Sequence, residues 1–225
     1  MSHALKELEG YRLAAVDGLV GHVEDFYFDD RDWVIRYLVA GTGEHWYDGR
    51  QVLLSPISLG PADRRERTLA LSITREQIRH GPDIDTARPV SRQHEAELFA
   101  HYNYIPYWDG PYLWGDGPFP DPLYPNIDPV APRLADARDD DPNLRSAVEV
   151  RGYHVRASDG ELGKVVDLSV DESSWAVRGL IVETGHWWHG NEVTVPPDAI
   201  TGVDWARRTV SLSLTRERLR HLPPR

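Results

Sequence analysis

The chain contains no cysteine. That excludes disulfides, thiolate metal sites, a cysteine nucleophile and iron–sulfur ligation together, and it fits a reducing compartment. Long apolar runs are missing too: no window approaches the ~18 residues that a membrane-spanning helix needs. The opening Met-Ser-His-Ala-Leu-Lys-Glu-Leu-Glu-Gly lacks the apolar stretch of a signal peptide. Positive charge is scarce, with 25 Lys and Arg against 36 Asp and Glu, a formal net charge of −11. Such a surface repels phosphate and removes the usual driving force for nucleic-acid binding. No glycine-rich phosphate loop, nucleophile elbow, dinucleotide fingerprint or metalloprotease helix is present. The expectation is a cytoplasmic protein that is not an enzyme, carries no cofactor and neither inserts into a membrane nor binds nucleic acid directly.

What the chain does have is a long internal repeat. Among its 225 residues, the segment from Gly10 to Pro82 recurs from Gly152 to Pro223. Gly10-Tyr11, Asp17-Gly18, Gly21, Val23 and Asp25 return as Gly152-Tyr153, Asp159-Gly160, Gly163, Val165 and Asp167. Trp33, Arg36, Leu38 and Thr42-Gly43 return as Trp175, Arg178, Leu180 and Thr184-Gly185. After a one-residue deletion, Thr74-Arg75-Glu76 and Arg79-His80 return as Thr215-Arg216-Glu217 and Arg220-His221. About 28 of roughly 73 aligned positions are identical, so the two copies share one fold. A unit this long is a small domain rather than a solenoid repeat. The predicted organisation is repeat 1 over 1–82, a connector over 83–147 and repeat 2 over 148–225.

The connector differs from a flexible linker, which is rich in Gly and Ser or in charge. Eight of the seventeen prolines fall between Pro106 and Pro132, and nine aromatics between Phe99 and Tyr124. Proline lowers the entropy lost on ordering and aromatics bury large areas. The segment is therefore expected to lie extended across one or both repeats, with 136–141 as its loosest part and one helix at Arg92–Tyr102.

Each repeat reads as mostly strand. Asp17-Gly18 and Asp159-Gly160 are tight-turn signals between apolar runs, with the aspartate bonding locally. Gly21 and Gly163 mark a bulge or a close backbone approach in a bent strand. Further strands follow over Val34–Ala40, Val52–Leu54 and Leu69–Ile73, and over Val177–Val182, Val193–Val195 and Val210–Leu214. Thr74 and Thr215 cap a short closing helix in each copy, and His80 and His221 at the helix ends suit the dipole. About six short strands in some 70 residues leave exposed edges unless they close or curl into a small barrel.

This pattern resembles the PRC-barrel family. The residues that carry the resemblance are Gly10-Tyr11, Asp17-Gly18, Gly21-x-Val23-x-Asp25, Asp29 and the run Trp33 to Val39, with their counterparts from Gly152 to Val182. Together the matches cover about two-thirds of the chain. The resemblance implies a mainly β chain with two small PRC-like β-barrels in tandem, joined by a Pro/aromatic-rich connector with one short helix. It also implies use as a protein-interaction or assembly module with a protein partner or a second copy of itself. By analogy with the reaction-centre H subunit and a ribosome-maturation factor, it further points to electron-transfer or ribosome-maturation accessory roles, peripheral to the inner membrane through a partner. It supplies no catalytic residues.

The candidate partner-binding residues are the aromatics of two turns, Trp46 and Tyr47 in the first repeat and Trp187 and Trp188 in the second. To these the connector adds Tyr104, Tyr107, Trp108, Tyr112 and Trp114, which read either as a partner's ligand or as a strap on the chain's own repeats. His186 and His189 are three apart and could share a metal only with Glu183 or Glu192 on the same face. Aromatic packing is the simpler reading. Arg36 and Arg178 are expected to pair across strands with Asp25 and Asp167.

Overall fold

A computed structural model describes residues 2–43, 49–82, 90, 92–120, 143–185 and 192–221. The chain is mainly β. In the first half lie β1 (Ser2–Ala4), β2 (Arg12–Ala15), β3 (Gly18–Asp29), β4 (Val34–Thr42), β5 (Gln51–Leu54), β6 (Leu59–Asp63) and β7 (Thr68–Leu71). In the second lie β8 (Leu144–Ser146), β9 (His154–Ala157), β10 (Gly160–Asp171), β11 (Val177–Thr184), β12 (Glu192–Val195), β13 (Ile200–Asp204) and β14 (Thr209–Leu212). The helices are α1 (Arg75–Arg79), α2 (Arg92–Tyr102), α3 (Ala147–Val150) and α4 (Arg216–Arg220).

The strands form two 7-stranded sheets of identical topology, β5-β4-β3-β2-β7-β6 and β12-β11-β10-β9-β14-β13. Neighbours are antiparallel except for the parallel pairs β2·β7 and β9·β14. Among the described residues neither path returns to its first strand, so each sheet is open. β6 and β13 do not show in the apolar pattern, because Gly60-Pro61 and Gly202 interrupt it. They sit at sheet edges, where such residues are tolerated.

Two compact bodies result, and they do not follow the repeat boundaries. One holds Leu8–Arg145 with Ser173–Trp175; the other holds Met1–Glu7, Ser146–Glu172 and Ala176–Arg225. The short strands that precede the repeats are exchanged. β1, ahead of repeat 1, pairs with β10 through Ser2↔Asp171, His3↔Val170 and Ala4↔Ser169. β8, ahead of repeat 2, pairs with β3. The physical opening for this is the length of the central strand. β9 pairs with β10 only over Gly160–Lys164, which leaves the far end of that edge for β1.

Gly21 and Gly163 are a close-approach position. A Cβ there would lie 2.0 Å from the Gly41 carbonyl oxygen and 1.9 Å from that of Glu183. At the hairpin, Gly18 and Gly160 hold φ of 141° and 147°, the region that glycine occupies freely. Asp17 reaches further than its own turn. Its carboxylate accepts the N–H of Arg75 at 2.8 Å, and Asp159 accepts that of Arg216 at 2.9 Å. Each hairpin thus holds the first turn of its closing helix. The Arg216 N–H keeps the Asp159 carboxyl below its ordinary range. Thr74 and Gln77 complete a reciprocal capping box on α1.

The two repeats differ on the outer face of the sheet. All nine residues of β4 are buried, whereas Arg178 and Glu183 of β11 are exposed. One face of repeat 1 carries Tyr37, Val39 and Leu53, all buried. The equivalent positions in repeat 2 are Gly179, Ile181 and Thr194. In the first body the described connector residues supply the cover. α2 buries Ala96, Leu98 and Phe99, and the Phe99 ring meets Tyr37 edge-on at 6.5 Å. The helix spans Arg92–Tyr102, the range expected from Ser91 following Pro89 in the sequence. Residues 136–141 lie outside the described residues.

Candidate functional site

A cleft lies in the body built on repeat 1. It has a volume of about 560 Å³ and forms where the β3–β4 turn meets the connector. The turn is set by Asp29. Its Oδ1 accepts the N–H groups of Arg31 at 2.9 Å and Asp32 at 3.1 Å, and its carbonyl accepts the N–H of Trp33 at 2.8 Å. Trp33 takes φ of 53°, unusual for a bulky residue, and Trp175 repeats this at 57°. Both side chains are used: Trp33 stacks on Phe28 and Trp175 packs against Phe26.

Arg36 forms the floor. The register steps from Phe28↔Ile35 to Tyr27↔Tyr37, so Arg36 is the extra residue of a β-bulge. Arg178 occupies the same place between Val170↔Val177 and Ser169↔Gly179. The bulge re-aims both arginines, and the expected pairing with Asp25 and Asp167 is overturned. Arg36 meets Asp32 at 3.2 Å and Asp29 at 3.8 Å, and Arg178 meets Asp171 at 2.9 Å. Asp167 is held instead by Arg151 at 3.2 Å and the Lys6 N–H at 3.0 Å. Asp25 accepts the N–H of Phe26 at 2.7 Å.

The two arginines share a partner position but not an environment. The Arg36 side chain is 2% exposed and that of Arg178 is 54% exposed. The connector makes the difference. The Arg36 guanidinium lies 3.6 Å over the Tyr107 ring and 5.3 Å from Trp114, and it donates to the Leu113 carbonyl. Tyr107 is itself pinned, its hydroxyl donating to Glu95 Oε1 at 2.7 Å beside that of Tyr37, also at 2.7 Å. Trp114 donates its indole N–H to the Ser174 carbonyl at 2.8 Å. Burial raises the Asp29 carboxyl above its ordinary 3.8, outweighing the N–H donors of Asp32 and Arg31 and the Arg36 charge.

The connector aromatics therefore divide. Tyr107 and Trp114 are buried, and Tyr104 is half-buried against Phe99 and Tyr102, its hydroxyl pushed up to about 12 by burial. Trp108 is half-buried against Phe99, while Tyr112 is 59% exposed at the cleft rim. Trp46, Tyr47, Trp187 and Trp188 lie outside the described residues, as do His186 and His189. Among the described residues no three His, Asp or Glu side chains stand close enough to share a metal ion, and no helix is long and apolar enough to cross a membrane. Sequence reading did not single out Glu95, a fully buried carboxylate on α2. The clue available was a charge among the apolar residues Ala96, Leu98 and Phe99.

A smaller cleft of about 310 Å³ in the other body is lined by Lys6, Glu7, Asp167 and Glu192. Its central carboxylate, Asp167, already holds Arg151 and the Lys6 N–H. Compared with family models and with curated proteins, the sequence matches none.

Proposed function

We propose that the chain is a non-catalytic protein-interaction or assembly module built from two PRC-type barrels, and that its partner surface is the cleft of repeat 1. The repeated Gly-Tyr, Asp-Gly and Gly-x-Val-x-Asp motif and the two sheets of equal topology support the tandem reading. The observation that carries the partner surface is the placement of Tyr112. This aromatic residue stands exposed on a segment that is otherwise anchored by Tyr107 and Trp114. Phe119, on the same segment, is 47% exposed. Large aromatics held on an anchored loop bind a partner at low entropy cost. The charged groups beneath them are engaged with one another, which favours recognition over proton transfer.

The test is cross-linking of the tagged full-length chain in its native cells, read by mass spectrometry, with a Tyr112→Ala/Phe119→Ala variant in parallel. The reading expects one recurrent protein whose cross-links map to 107–119 and fall in the variant. Cross-links that are indifferent to the variant would reject this surface, and recovery of no recurrent protein would reject the module itself.

A further inference from the structure

The arm Ser2–Glu7 stands ahead of repeat 1 in sequence and belongs to the body of repeat 2. Three features hold it there. β1 adds to β10 through Ser2↔Asp171, His3↔Val170 and Ala4↔Ser169, on the edge that β9 leaves beyond Lys164. Ala4 and Leu5 are buried. The Lys6 N–H donates to Oδ2 of the buried Asp167 at 3.0 Å. A backbone ladder, two apolar side chains and one N–H are supplied equally well by the same arm of another copy. The contacts are then identical, and only the entropy of closing the chain separates the two pairings.

That entropy does little to protect the pairing within one chain. The Lys6 N–H and its acceptor are 161 residues apart. While the chain folds, a tether of that length gives its arm an effective concentration of at most about a millimolar. A second copy at a similar concentration competes for the same edge, as it does in other repeat proteins. The exchange is also reciprocal, since β8, ahead of repeat 2, pairs with β3 of repeat 1. Each sheet takes a strand from ahead of the other repeat, which is the self-complementary pattern of a two-fold dimer. We propose that the β10 edge over Ser169–Asp171 is a self-association surface. It takes the Ser2–Glu7 arm of a second copy of the chain, which takes the first copy's arm in return. None of the cleft residues takes part, so this surface and the cleft of repeat 1 stand or fall separately.

The chain holds no cysteine, so introduced thiols report the pairing without background. Cross-strand partners stand within disulfide reach, and Ala4 and Ser169 are such partners. Full-length Ala4→Cys and Ser169→Cys chains are unfolded in urea, mixed, refolded at concentrations from about 10 μM to about 1 mM and then oxidised. The expected product is a heterodimer linked between positions 4 and 169, identified by mass spectrometry. Its yield should rise with concentration and reach at least about a tenth of the chains at the upper end. Ser211→Cys in place of Ser169→Cys puts the thiol on β14, whose partners are β9 and β13. The yield there should be lower by at least about tenfold, because a disulfide needs adjacent Cβ atoms. The Ala4→Cys/Ser169→Cys double variant, refolded dilute, should close its disulfide within one chain. Closure of the double variant with no heterodimer at about 1 mM, or equal yields at positions 169 and 211, would overturn exchange between copies. A double variant that does not close would overturn the pairing on which the exchange depends.

Discussion

Arg36 and Arg178 are the same residue in two copies of one fold, and burial gives them different energetics. An exposed ion pair contributes little, because water and salt screen it and two long side chains must be ordered. A buried one is different: removing one partner strands the other's charge away from water. Arg36→Ala should therefore cost about 3–5 kcal/mol and Arg178→Ala less than about 1 kcal/mol, read by urea unfolding. Equal costs would mean that the connector does not seal Arg36. Asp29 adds a pH signature. Its folded-state carboxyl is raised, so its contribution is fully present below the ordinary value of 3.8 and is lost as pH rises through the raised value. The stability of the wild type relative to Asp29→Asn should fall as pH climbs from 3.8 upward. Unfolding measured at stepped pH checks this, and a difference that grows with pH would contradict burial as the dominant cause.

At the scale of the element, the exchanged strands make a sharper claim than the long ones. β1 has three residues and no propensity that would form a strand alone. It exists because β10 runs on past its partner β9 and presents unpaired backbone groups over Ser169–Asp171. Proline at position 3 removes a donor from that ladder. His3→Pro should speed amide exchange at Ser169–Asp171 in the sheet of repeat 2 while leaving β3 of repeat 1 unchanged. Hydrogen exchange read by mass spectrometry checks the pairing, and faster exchange in β3 would assign β1 to the other sheet.

For the whole molecule, duplication preserved topology and let the surfaces diverge. Both sheets have the same strand order, the same parallel pair, the same arginine bulge and the same hairpin-to-helix clamp. The outer face of repeat 1 became large and apolar at Tyr37 and Leu53, where repeat 2 has Gly179 and Thr194. The first face carries the larger apolar side chains, and α2 with Tyr107 and Trp114 is placed in its body. The exposed aromatics beside that cover, Tyr112 above all, are where the proposed function concentrates.

The sequence by itself determined the repeat, most of the strands, the helix over Arg92–Tyr102, the threonine caps and the tight turns at Gly18 and Gly160. Each of these rests on local physics: side-chain alternation, capping chemistry and the freedom of glycine at positive φ. Only the tertiary structure decided the rest. One inserted residue at the bulge moved Arg36 from Asp25 to Asp29 and Asp32, a change that no alternation pattern records. Strands of three residues were fixed by a distant edge rather than by their own composition. Arg36 became a buried cation, and Glu95 a carboxylate shared by two tyrosines, because a segment some 60 to 80 residues away in sequence (58 from Tyr37 to Glu95, 77 from Arg36 to Leu113) folds back over them. The cleft is made from that return, so its residues were present in the sequence while their proximity was not.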